Sequence, residues 1–143
     1  MAKTNPQTIY LRGRGIREEA PAGGTITPGH LVTLNSSDQL VVHGTAAVQT
    51  PSLYAQENDL VGNGIDTNYV SGDYVQAEYL PVGSIVYALV AAGAAAIVKG
   101  DKLESAGNGT LRKLASGVAI AVSRDAVDNS GGGSPARIRA LII

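Results

Sequence analysis

The chain has no cysteine, no tryptophan and no phenylalanine. Without cysteine there is no disulfide scaffold, no thiolate zinc site and no cysteine nucleophile. Without Phe and Trp, the core has to come from Val, Ile, Leu and Ala, which suits thin β-structure better than a multilayer enzyme. The two histidines, His30 and His43, are too few and too widely spaced for a zinc site. Their expected role is structural, and neither a metal nor a cofactor is expected.

Long apolar runs are scarce as well. The longest uncharged apolar stretch, residues 85–98, has 14 residues and contains Gly93. A membrane span needs about 18 or more, so no membrane contact is expected. The stretch opens Ile-Val-Tyr and closes Ile-Val, which are strand residues. It reads as two short strands, roughly 84–90 and 95–98, bent at Gly93, with an alanine-rich helix as the alternative. The N-terminal MAKTNPQTIYLRGRG has no apolar segment of the secretory type, so no export signal is expected.

Cations are missing from most of the chain. Residues 18–98 hold eight acids and no Lys or Arg. Residues 1–17 hold four cations and no acid, and residues 99–143 hold seven cations and four acids. A basic start, an acidic middle and a basic final third suggest contact between copies. Four cations near the start also raise nucleic acid. The acidic segment behind them, with few aromatics for stacking, points to a protein partner instead.

Catalytic patterns are absent too. No serine sits in a nucleophile elbow. The RGRG run from Arg12 to Gly15 lacks the third glycine and the strand-to-helix setting of a phosphate loop. Asp125, Asp128 and Asn129 lack calcium-loop spacing. Glu18 with Glu19, and Glu57 with Asp59, read as solvated loop acids. The chain is not expected to be an enzyme.

What is present is β grammar. Pro6, Gly13, Gly15, Pro21, Gly23 and Gly24 make residues 1–24 an extended N-terminal arm, in which residues 7–12 have strand composition. From residue 25 to 143 one all-β domain is expected. Residues 27–34 read as a turn and a strand, 35–38 as a polar turn and 39–43 as the return. Residues 100–106, 107–110 and 111–114 repeat that order. A strand, a polar loop and a strand follow each hairpin: 52–57 and 73–79 in the first case, 117–123 and 136–143 in the second. The parallel reflects either a duplication or the common habits of β-meanders. The expected fold is a small all-β barrel or sandwich.

Four stretches carry a resemblance: LYAQENDLVGNGID (53–66), SGDYVQ (71–76), VYALVAAG (86–93) and KGDKLESAGNGTL (99–111). Their cadence, over about residues 28–143, is similar to the capsid decoration (cement) proteins of tailed bacteriophages. The resemblance implies a structural protein on the outer surface of the virion, tying major capsid protein subunits together. It implies a homo-oligomer, a trimer before a dimer, and leaves β-tulip and jelly-roll topologies open. It also implies an arm that adds a strand to a capsid protein. On that view the capsid-binding arm comprises Lys3, Gln7, Ile9, Tyr10, Leu11, Arg12, Arg14 and Arg17. Ile9 and Leu11 would fill apolar pockets, and the arginines would meet acidic surface at the rim. The alternative is a carbohydrate- or cell-binding β module using loops 58–72 and 125–135, where Tyr69 is the available aromatic.

Overall fold

The computed structural model describes residues 4–143. It is all-β, with eleven strands and one short 3-10 turn, Asp59–Val61, among the described residues. The strands are β1 (Tyr10–Arg12), β2 (Ile16–Pro21), β3 (Val32–Leu34), β4 (Leu40–Val42), β5 (Leu53–Ala55) and β6 (Tyr74–Tyr79). They continue as β7 (Ile85–Val90), β8 (Lys102–Ser105), β9 (Leu111–Lys113), β10 (Ala121–Ser123) and β11 (Ala136–Ile142). Stretch 85–98 begins as a strand, β7, and is not helical. Its second expected strand reduces to a single bridge between Ile97 and Val127. Gly93, at φ 72°, makes the bend between them.

The second half is a small closed barrel. Its order is β7-β11-β10-β8-β9, and a parallel contact between Val90 and Leu111 returns β9 to β7. Strand alternation sends Val86, Ala88, Leu103, Leu111, Ala121, Ile138, Ala140 and Ile142 inward, all of them buried.

The first half repeats this plan in looser form. β2-β6-β5 is one sheet and β3-β4 a hairpin. An antiparallel bridge, Leu31 to Tyr54, joins β3 to β5, and a parallel bridge, Ala22 to Leu40, returns β4 to β2. The ring order β2-β6-β5-β3-β4 therefore matches that of the second half. The registers match as well. Leu53 opposite Tyr79 corresponds to Ala121 opposite Ile142. The bridge Ile26–Tyr69 corresponds to Ile97–Val127. Each bridge leads into a turn with a left-handed glycine, Gly29 at φ 97° and Gly100 at φ 94°. The turn is closed by a side chain accepting a backbone N–H: His30 from Thr27, Asp101 from Val98. The repeat in the sequence is a repeat in three dimensions.

The halves share their packing. Tyr54 of β5 and Leu31, just before β3, belong to the first half yet sit in the core cluster of the second. Tyr54 and Tyr69 are fully buried, so the core is not aliphatic alone. The first half has its own cluster around Ile26, Val32, Leu40, Leu53, Tyr69 and Val75.

The N-terminal segment departs from expectation. It is extended, but it does not stand outside the domain. β1 pairs with β7 (Tyr10 opposite Val86), and β2 pairs with β6 from Ile16 to Pro21. No boundary falls at residue 24. β1 lies along β7 on the edge that β9 reaches only at Val90, so it continues the barrel wall where β9 has left it. Ile9 is 0% exposed and packs in the second core. The physical reason is burial: Ile9 covers apolar surface within its own chain and needs no pocket on a neighbour.

Candidate docking surface

Two buried carboxylates hold the segment down. Glu57 accepts the Thr8 hydroxyl at 2.5 Å and the Ile9 amide at 3.0 Å. Glu78 accepts the Gly15 amide at 2.8 Å and the Arg14 guanidinium at 3.2 Å. Both acids are largely removed from water, and a buried charge is tolerable only with such donors. Between them the Tyr10 hydroxyl donates to the Tyr54 carbonyl at 2.6 Å. Burial, then the nearby Glu78 charge, push the Tyr10 phenol upward, so it stays protonated and donates. Burial also pushes Tyr69 up to about 12. Gly15 has to be glycine, because a Cβ there would lie 1.8 Å from the Tyr79 carbonyl oxygen.

This arrangement corrects the acidic readings. Glu57 is a buried acceptor and not a solvated loop acid. It also shows where the uneven charge goes. Arg14 meets Glu78, Arg17 meets Glu19 at 2.8 Å, and Arg137 meets Asp66 at 3.7 Å. Much of the pairing between basic ends and acidic middle is therefore internal to one copy.

Segment 10–16 runs antiparallel to segment 79–86. Arg12 lies opposite Ile85 and donates to the Gly83 carbonyl at 3.0 and 3.2 Å. Gly13 sits against Ser84, and Ile16 lies opposite Tyr79. The loop between Leu80 and Ser84 thus projects Val82 beside Arg12 and Arg14. Ile16 is 75% exposed and Val82 77%. Ile143 follows Ile142, whose carbonyl accepts the Gly83 amide, and it too is exposed. The Arg14 side chain is 80% exposed even while paired. The result is a set of exposed apolar and basic side chains on segment 12–16, on loop 80–84 and at Ile143, where the two halves adjoin. Clusters of exposed apolar side chains rimmed by polar groups mark interaction surfaces.

The residues expected in a capsid-binding arm divide three ways. Lys3 lies outside the described residues. Ile9 is core, Tyr10 and Leu11 are half-buried, and Gln7 is exposed with its amide turned back to Asn5 and Pro6. Arg12, Arg14 and Arg17 are exposed, and the first two join the patch. Sequence reasoning missed Ile16, Val82 and Ile143. The signal at Ile16 and Val82 was apolar character next to Gly or Pro, and Ile143 ends an apolar strand run. Tyr69, the aromatic expected in loop 58–72, is buried with its hydroxyl donating to the Gln56 carbonyl at 2.7 Å, so it offers no sugar platform.

Among the described residues, no group of three or more His, Asp or Glu is placed to hold a metal ion. Among the described residues, no helix is long and apolar enough to cross a membrane. No protein-family model matches the chain, and no curated protein matches it.

Proposed function

We propose that the chain is a capsid decoration protein that docks on the outer surface of a phage head and braces neighbouring major capsid subunits. The observation that carries this reading is the exposure of Arg12, Arg14 and Ile16, on a segment tied to the domain by strand pairing and by Glu78, with Val82 exposed on the facing loop. The four stretches that resemble cement proteins add to it. A fixed surface loses less conformational freedom on binding than a loose arm does. Several copies acting around one capsomer would add their modest contacts as avidity. Docking then occurs through side chains of this surface, since residues 9–12 are already held against β7 and are not a free arm. The test is co-sedimentation of the purified chain with empty expanded heads and with compact procapsids. Binding to expanded heads, lost in an Arg12→Glu/Arg14→Glu variant that still folds, supports the reading. Equal and unsaturable sedimentation with both particles opposes it.

A further inference from the structure

Two of the chain's asparagines are followed by glycine, Asn63 and Asn108. An Asn-Gly pair can close on itself, the glycine amide nitrogen attacking the asparagine side-chain carbonyl and expelling ammonia. Glycine permits this because it has no side chain to hinder the attack and turns freely. The reaction needs a glycine N–H that is not held and a carboxamide that can swing over it. The fold treats the two pairs oppositely. Asn108 lies in the β8–β9 hairpin turn. The Gly109 amide donates to the His43 carbonyl at 2.9 Å, and the Gly109 carbonyl accepts the Leu31 amide at 2.8 Å. The Thr110 hydroxyl donates to Asn108 Oδ1. A Cβ on Gly109 would lie 3.0 Å from the His30 and Val42 side chains, so this glycine has no room to turn.

Asn63 lies between the 3-10 turn and the Ile26–Tyr69 bridge, outside any strand. Gly64 is exposed, its amide has no acceptor among the described residues, and nothing lies within 4 Å of where its Cβ would be. The Asn63 carboxamide lines an open cleft and has no hydrogen-bond partner among the described residues, the nearby Gln76 amide going to Asn58 instead. The backbone on either side is fixed. The Asn63 amide donates to the Asn58 carbonyl at 3.0 Å, and Arg137 donates to the Ile65 carbonyl at 2.8 Å. The two Asn-Ser pairs are held more firmly. Asn35 Oδ1 accepts the Ser37 and Gln39 amides, and the Asn129 amide donates to the Ala91 and Ser134 carbonyls.

We propose that Asn63 is a site of spontaneous covalent modification, converting through a succinimide to aspartate and isoaspartate, while Asn108 stays intact in the folded chain. In the first step a bond forms between the Gly64 nitrogen and Asn63 Cγ. The Cγ–Nδ2 bond breaks, and the Gly64 amide proton leaves with the departing group as ammonia. In the second step water adds to one of the two ring carbonyls and reopens the ring. Cleavage at Cγ leaves an ordinary chain with an aspartate. Cleavage at the main-chain carbonyl routes the chain through the side chain and gives isoaspartate, which lengthens the backbone between the fixed points at Asn58 and Ile65. Either product places a new carboxylate in a cleft lined by Glu19 and Asp73, where the Arg17 guanidinium already bonds Glu19 and Gln76. This loop therefore changes charge and length as the molecule ages. The inference stands independently of the decoration reading.

The test is incubation of the full chain in mildly alkaline buffer, folded and in parallel in urea, with samples withdrawn over time. Residues 18–98 hold no Lys or Arg, so peptides are made by cleavage at acidic residues. Their masses report the exchange of amide for carboxylate, and a methyltransferase that labels isoaspartate gives a second readout. In urea the two Asn-Gly pairs should convert at similar rates. In the folded chain Asn63 should convert at least about tenfold faster than Asn108, because the Gly109 amide must first be freed. Gly64→Ala has open space for its methyl group. It should keep the wild-type melting temperature and slow conversion of Asn63 about tenfold or more. Asn63→Gln, whose longer side chain cannot close the five-membered ring, should remove most of the isoaspartate label. An Asn63 that stays intact in the folded chain while converting in urea overturns the proposal. So does an Asn108 that converts as fast as Asn63 in the folded chain, or a label undiminished in Asn63→Gln.

Discussion

His30 provides a sharp physical test of the fold. Its imidazole is mostly buried, and Nδ1 accepts the Thr27 amide at 3.0 Å. Burial, with the nearby Arg137 guanidinium as a second cause, lowers its pKa from 6.5 to about 4. Arg137 is fixed there by the Pro28 carbonyl at 2.7 Å and the Ile65 carbonyl at 2.8 Å. Because the folded pKa lies below the unfolded one, folding favours the neutral ring. The resulting stability is complete above pH 6.5, declines as pH falls, and is gone below about 4. Converted at 1.36 kcal/mol per pH unit, the whole gap is about 3 kcal/mol, of which about 2.5 kcal/mol is lost between pH 7.5 and pH 4.5. For a chain of this size that corresponds to roughly 8 °C in melting temperature. His30→Asn keeps an acceptor for Thr27 and removes the titration. Melting curves of both proteins from pH 7.5 to 4.5 should therefore converge, the wild type losing its advantage as the pH drops. Parallel curves would refute the argument, since they would mean that burial of His30 does not depend on its charge.

Other outcomes follow from the docked segment. Ile9→Ala should cost about 2–5 kcal/mol in urea unfolding, the range for truncating a buried aliphatic side chain, whereas a free arm predicts no change. Gly15→Ala drives a methyl into the Tyr79 carbonyl and should cost about 3 kcal/mol or more, with faster hydrogen exchange at the β2–β6 ladder as its signature. Glu57→Gln removes the charge that binds Thr8 and Ile9. It should cost about 1–3 kcal/mol and speed proteolysis ahead of residue 10 before the rest of the domain yields.

Most of the β grammar was legible because it is local. Leu34 to Leu40 brackets a polar turn, Ser105 to Leu111 brackets another, and both form hairpins. The repeated order of hairpin, strand, polar loop and strand placed β6 and β11 within a residue or two of their observed bounds. What stayed hidden depends on partners far along the chain. Glu57 binds Ile9 across 48 residues, and Glu78 binds Gly15 across 63. No local pattern distinguishes such acids from solvated ones. The first barrel closes through single bridges at Ala22–Leu40 and Leu31–Tyr54, too short to leave a run of strand residues. Glycines and prolines made residues 1–24 look like an arm. Most of them flank β1 and β2 where these enter the sheets, and the burial of Ile9, Ala20 and Ala22 ties the segment to the core.

The decoration reading is tested most directly by occupancy of empty expanded heads, measured for the wild type, for Ile16→Ser/Val82→Ser and for Arg12→Glu/Arg14→Glu. The account predicts saturable binding by the wild type and loss in both variants, with melting temperatures close to the wild-type value. Full occupancy by both variants, or none by the wild type, would contradict it.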